Sequence, residues 1–346
     1  MNSRERILKT LRFEPTDRLA RDLWYLGSAR LNWGAEVDRV VDEYPSDIGY
    51  PVYTPFRMPY QQGDIYTHMY YVDAWGSGWK ATQPGIAGEV VLRPLEDWSA
   101  LATFKPPFEV LGKGMEQVNA SCAASDKFML SVGLPRPFER MQFLRGSEKL
   151  YLDLATGSRE VHQLREMVHE YFMRETEVWM KTDVDGFFMM DDWGSQRGLL
   201  ISPEMWREFF KPLYKDYAEL AHRHGKAVFM HSDGNIEAIY PELIEIGVDA
   251  VNSQLFCMDI EKLGRQYGGK ITFWGELDRQ NLLPHGTREE VEAAAQRLMK
   301  AFVHFDGGFI AQCEWGGDVP PATIRTAYAA FDRLYPQYRP VAKALK

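Results

Sequence analysis

Seven residues of types that do chemistry stand at or just past the ends of short apolar runs. They are Asp191, Asp192, His231, Asp233, Glu276, Cys313 and Glu314. The runs read DGFFMMDD (185–192), KAVFMHSD (226–233), VDAVNSQ (248–254), ITFWGELD (271–278) and GGFIAQCE (307–314). His231 and Asp233 are two apart, so on an extended chain both side chains project to one side. The turn Gly234-Asn235 follows them. His231, Glu276 and Cys313 together offer one nitrogen, one oxygen and one sulfur. That set suits zinc, and three protein ligands leave a fourth position for catalysis. Asp233 is the rival oxygen ligand. Each residue also has a plainer role: a hydrogen-bonded histidine, a loop-fixing carboxylate, an inert buried thiol. Cys122 and Cys257 lack a strand-end setting and read as structural.

Asp191 and Asp192 are adjacent, so on a continuing strand only one faces a ligand. Asp192, beside Trp193 and Gly194, is the better placed for binding or proton transfer. Tyr71, Asp73 and Trp75 in YYVDAWG are candidates to close a pocket from the N-terminal half, or to form a packed hairpin.

The five runs alternate with helical stretches at about 202–224, 235–246, 259–267, 287–305 and 321–334, a βαβαβ rhythm that implies a parallel sheet. Ligands of such sheets sit beyond the carboxyl ends of the strands, so these residues would converge on one mouth. Further strands at 20–25 and 127–133, and one within 45–55, bring the expected total to eight. The predicted fold is a (β/α)8 TIM barrel, one domain over 1–346 with an N-terminal elaboration. Residues 2–13 and 157–183 read as helices, the latter capped by Ser158. Residues 65–81 read as short antiparallel strands. No GxGxxG follows any strand, which removes the commonest dinucleotide reading.

The chain has 346 residues, 45% hydrophobic, enough for one large core. Its formal net charge of −9 argues against nucleic acid as a partner. No apolar run approaches the ~20 residues that span a bilayer. Three cysteines and no secretory signal predict a cytoplasmic protein. Ten Trp, 17 Tyr and 19 Phe serve a large core or a flat ligand.

Several segments resemble the uroporphyrinogen decarboxylase superfamily, which includes corrinoid (cobalamin)-dependent methyltransferases. They are RERILKTLRFEPTDR, DGFFMMDDWG, FMHSDGNI, VNSQ, FWGELDRQNLLPHGT and IAQCEWGGDVPPATI, in family order and densest over 183–334. The resemblance implies a (β/α)8 barrel. True decarboxylases of the family carry an Arg-Gln-Ala-Gly-Arg run near the N-terminus to hold substrate carboxylates, where this chain has WYLGSAR (24–30). The thiol-alkylating methyltransferases carry His-x-Cys and a later Cys as zinc ligands. His231 and Cys313 match, and Asp233 replaces the middle Cys.

The resemblance to the methyltransferases of aryl-methyl-ether demethylation is closer. It implies a methyl group moving between a small methoxylated aromatic substrate and the cobalt of a corrinoid on a partner protein. The chain has no Asp-x-His-x-x-Gly corrinoid motif of its own. On this reading His231, Glu276 and Cys313 hold zinc, and Asp192 positions substrate or supplies a proton. Trp193, Trp274, Trp315 and Tyr71 line the substrate site. A harder ion with a carboxylate ligand suits polarising an oxygen. The alternatives are a metal-free decarboxylase and a non-catalytic ligand-binding barrel.

Overall fold

The computed structural model describes residues 1–64, 68–303 and 308–338. The first residues of the expected 65–81 hairpin, the last of the 287–305 helix and Gly307 lie outside them. Eleven strands are described: β1 (Ala20–Tyr25), β2 (Ile48–Gly49), β3 (Tyr70–Val72), β4 (Gly78–Lys80), β5 (Glu89–Leu92), β6 (Phe128–Met129), β7 (Gly186–Met190), β8 (Ala227–Ser232), β9 (Ala250–Ser253), β10 (Thr272–Trp274) and β11 (Phe309–Trp315).

The main sheet is parallel and six-stranded, in the order β1-β11-β10-β9-β8-β7. Helices separate the strands β7 to β11, as right-handed crossovers between parallel strands require. A parallel pair, β2 and β6, stands between the sheet's two ends. A bridge joins Leu130 to Gly186 of β7, and Asp47 N donates to Arg21 O of β1. Buried Asp47 also accepts from Arg6 and Arg18, which ties the first helix to this junction. The expected N-terminal elaboration is a small antiparallel meander, β3-β4-β5.

Local signals explain the helix starts. Asn2 and Glu5 form a capping box on the helix Ser3–Leu11, and Thr287 with Glu290 does so on Arg288–Phe302. Ser158 caps the long helix Arg159–Met180.

The curled sheet separates two cores. Its concave face carries Ala20, Phe188, Phe229, Ala250, Trp274 and Ile310, closed from below by Ile7. Its convex face carries Leu23, Phe187, Met189, Met230, Val251, Phe273, Ala311, Cys313 and Trp315, packed under the helices. Both faces are apolar because both are covered. Among the described residues no helix is long and apolar enough to cross a membrane.

Candidate metal and substrate site

Strand parity determines which side chains reach the mouth of the sheet. On β7 and β8 the concave set runs Phe188, Met190 and then Asp192, and Phe229, His231 and then Asp233. Met190 pairs in register with His231, and His231 with Asn252 of β9. The loops after β7 and β8 touch: Gly194 N donates to Asp233 O at 3.0 Å. Gly234 has φ +79°, and a Cβ there would lie 2.1 Å from the Gly194 backbone. Only glycine lets these two loops approach so closely.

Asp192, His231 and Asp233 offer three ligand atoms within 4.8 Å of one another. His231 Nε2 lies 3.6 Å from Asp192 Oδ1 and 3.4 Å from Asp233 Oδ1. The other ring nitrogen, Nδ1, lies 2.6 Å from Asn252 Oδ1. Asn252 spends its Nδ2 on Trp274 O, so its Oδ1 is the acceptor and Nδ1–H the donor. That bond puts a proton on Nδ1 and turns Nε2 toward the two carboxylates, the orientation of a metal-ligating histidine held by a second partner. Asp233 N donates to Asp192 Oδ1, which anchors the second carboxylate.

The donor set fits a divalent cation. Asp233 Oδ1, one of the three donor atoms, is buried without a hydrogen-bond partner. Two carboxylates face one imidazole here, and of the two only Asp233 has an arginine partner among the described residues. One nitrogen and two oxygens match the ligands zinc accepts.

Arg279 adds a structural counter-charge. Its guanidinium bonds Asp233 and lies 2.5 Å from Glu314 Oε1 and 3.7 Å from Glu276 Oε1. Glu276 is thus held behind Arg279, next to the three-donor group and outside it. Burial drives its pKa well above the usual carboxylate value, against the pull of Arg279. It follows Gly275, whose φ of +85° turns the chain out of β10.

The structure does not bring Cys313 to this group, and the expected His231–Glu276–Cys313 set does not form. On β11 the concave residue is Ile310, so Gln312 and Glu314 follow it inward by alternation. Cys313 has the opposite parity and lies in the core under the helices. Burial pushes its thiol up to about 12, so it offers little thiolate near neutral pH.

Parity also sorts the aromatic residues. Trp193 is fully buried, stacked on Phe138 at 4.1 Å, and donates Nε1 to Tyr214 Oη at 3.0 Å. Trp315 faces the helices and donates to Val319 O. Neither joins the metal-binding group. Tyr71 stacks on Trp79 and lines a separate cavity of about 480 Å3 with Asp73 and Arg140. Trp274 lies on the concave face, with its ring 5.1 Å from Trp24. Trp24 in turn packs 5.3 Å from the His231 ring. Asp191 is buried and accepts from Phe138 N and Glu139 N at 2.7 Å each, capping the helix Pro137–Arg145.

Sequence reasoning missed Asn252, Arg279, Asp22 and Glu139. Asp22 and Trp24 share the concave parity of Ala20 on β1, a signal readable in ARDLWY. Glu139 carries no such signal. It comes from the helix Pro137–Arg145, and burial with the charge of Asp192 raises it to about 7, despite Arg136.

A parallel α/β sheet with a carboxylate–imidazole group at its carboxyl end defines a ligand-binding or catalytic α/β protein. Residues 79–334 match the uroporphyrinogen decarboxylase (URO-D) family, and the chain belongs to it. A methyltransferase from Methanosarcina mazei is similar in structure. Its TM-score is 0.67 at 16% sequence identity, covering 97% of this chain and 99% of that one. At that identity the likeness is one of fold. An endo-β-1,4-xylanase from Gloeophyllum trabeum aligns over 93% of this chain and 99% of its own at 12% identity. Its TM-score is 0.43, too low to bear on the argument. No curated protein matches the sequence.

Proposed function

We propose that this protein is a zinc-dependent methyltransferase of the URO-D family. It moves a methyl group between a small methoxylated aromatic substrate and the cobalt of a corrinoid carried by a partner protein in the cytoplasm. In this reading the six-stranded sheet and the β2–β6 pair complete a (β/α)8 barrel whose mouth is the active site.

The observation that supports the reading is the Asp192–His231–Asp233 group, with its histidine oriented by Asn252. These three residues would hold the metal. When bound, zinc supplies Lewis acidity suited to polarising an ether or hydroxyl oxygen. Trp24 and Met190 sit beside His231 and give the substrate an apolar wall that excludes water. Glu139, whose carboxyl burial raises to about 7, is within electrostatic reach of Asp192 and His231. The corrinoid comes from the partner, since the chain has no motif for it.

The test is methyl transfer from 2-methoxyphenol to Co(I) cobalamin by the zinc-loaded protein, followed by the visible spectrum. Formation of methylcobalamin and catechol, lost in His231→Ala, supports the proposal. No transfer with either cobalamin or a cognate corrinoid protein overturns it.

A further inference from the structure

The cavity of about 480 Å3 that Tyr71 lines lies between the meander and the helix Pro137–Arg145. Three arginines line it: Arg57 from the segment before β3, and Arg136 and Arg140 from the start and the body of the helix. Positions 136, 140 and 143 share one helix face, so Phe143 joins the lining. Tyr71 of β3 and Trp79 of β4 supply another wall, and Phe143 packs edge-on against Trp79 at 4.6 Å. The acidic side chains of the lining are Asp64 and Asp73.

The charges in this lining do not cancel. Asp73 is saturated. Its Oδ1 accepts Trp75 N and Ser77 N at 2.9 Å each, and its Oδ2 accepts Trp79 Nε1 at 3.2 Å and Arg140 Nη1 at 2.9 Å. Arg140 and Asp73 are therefore a matched pair. Arg57 and Asp64 are both exposed, one charge of each sign at the rim. Arg136 is left over. Among the described residues its Nη2 donates to the Met190 thioether, Sδ at 2.8 Å, a weak acceptor. Glu139 Oε2 stands 3.7 Å from Arg136 Nη1, beyond hydrogen-bond range. Burial pushes Glu139 and Glu175, the carboxyls that share the field of this arginine, up to about 7 each, so near neutral pH neither fully offsets it. A half-buried guanidinium thus keeps N–H donors for an acceptor that the described residues do not supply.

We infer that this cavity is a binding site for aromatic monocarboxylates, with Arg136 holding the carboxylate and Trp79 and Phe143 bounding the space for the ring. The site stands apart from the metal-binding group and does not depend on methyl transfer. A guanidinium fork matches a carboxylate through two parallel N–H···O bonds. One unmatched positive charge suits a monoanion, and a cavity of this size suits a ligand built on one ring. An inorganic anion would satisfy the arginine and leave the aromatic wall bare. A neutral amide of the same shape loses the charge-assisted bond, which separates the two by about tenfold or more.

Calorimetric titration of the full chain at pH 6.5 tests this with benzoate, benzamide and acetate. Benzamide has the ring without the charge, and acetate the charge without the ring. Benzoate is expected to bind at least about tenfold tighter than either. Arg136→Gln should weaken benzoate by about tenfold or more and leave benzamide unchanged. Arg57→Gln, at the exposed rim, should weaken it by about threefold or less. Arg136→Lys keeps the charge and loses the fork; it should weaken benzoate by about threefold or more and serves if Arg136→Gln fails to fold. Benzamide or acetate binding as tightly as benzoate to the wild type overturns the inference, as does unchanged benzoate affinity in a folded Arg136 variant. Treatment with a chelator should leave benzoate affinity as it was. Affinity lost with the metal would put the carboxylate on the cation, and would overturn the inference too.

Discussion

The ends of β8 and β11 look alike in sequence and differ in fate. Both are apolar strands with a residue able to bind zinc near the carboxyl end, His231 in one and Cys313 in the other. His231 points into the concave mouth, meets two carboxylates and is oriented by Asn252. Cys313 points the other way and is packed beneath helices, its thiol held protonated by burial. One step of strand parity separates a candidate ligand from a core residue. In a parallel sheet covered on both faces, neither face advertises itself by polarity.

Three substitutions sharpen this contrast, in decreasing order of effect. Trp193 belongs with Cys313 on the packed side. Trp193→Ala should lower stability by about 3–5 kcal/mol, measured by urea denaturation, because the cavity left between Phe138 and Phe210 cannot fully collapse. If the residue lined the substrate site instead, stability would change little and ligand affinity would fall.

Asp22 belongs with His231 on the open side, and its effect depends on pH. Its folded pKa is about 6 against an ordinary value of 3.8. Between those values the folded state binds the extra proton, so its contribution to stability falls as pH rises from about 4 to 6 and stays low above that. Asp22→Asn removes the charge while leaving an oxygen for the indoles. The variant should gain up to about 3 kcal/mol over wild type at pH 8 and nothing at pH 4. A gain that does not vary with pH would contradict the buried, unpaired carboxylate.

Asn252 acts on the open side at one remove. Asn252→Ala should weaken zinc binding by about 10–100-fold in competition with a chromogenic chelator, since His231 loses the partner that fixes its tautomer. Unchanged affinity would mean that the imidazole is oriented by other means.

The strand rhythm from 185 to 314 was legible because apolar runs alternate with capped helices, and the capping residues Ser158 and Thr287 stand where their sequence signals put them. The short strands β2 and β6, two residues each, were harder to read because so brief a run has no measurable period. The choice of Asp192 over Asp191 at the mouth followed from alternation, and the structure has Asp191 turned inward to cap a helix. The same alternation along FIAQCEW puts Cys313 on the helix-facing side, opposite to Gln312 and Glu314. Trp193 and Trp315 lie in the helix-facing core, because an aromatic side chain serves such a core as readily as a pocket. Arg279 and Glu139 reach the site through loop and helix geometry, which strand parity does not encode.

The most direct test of the account is bound metal, by elemental analysis after zinc loading and gel filtration, in the wild type, His231→Ala and Cys313→Ser. The account predicts near-stoichiometric zinc in the wild type and in Cys313→Ser, and its loss in His231→Ala. Zinc lost with Cys313→Ser in a folded protein, or retained without His231, would contradict it.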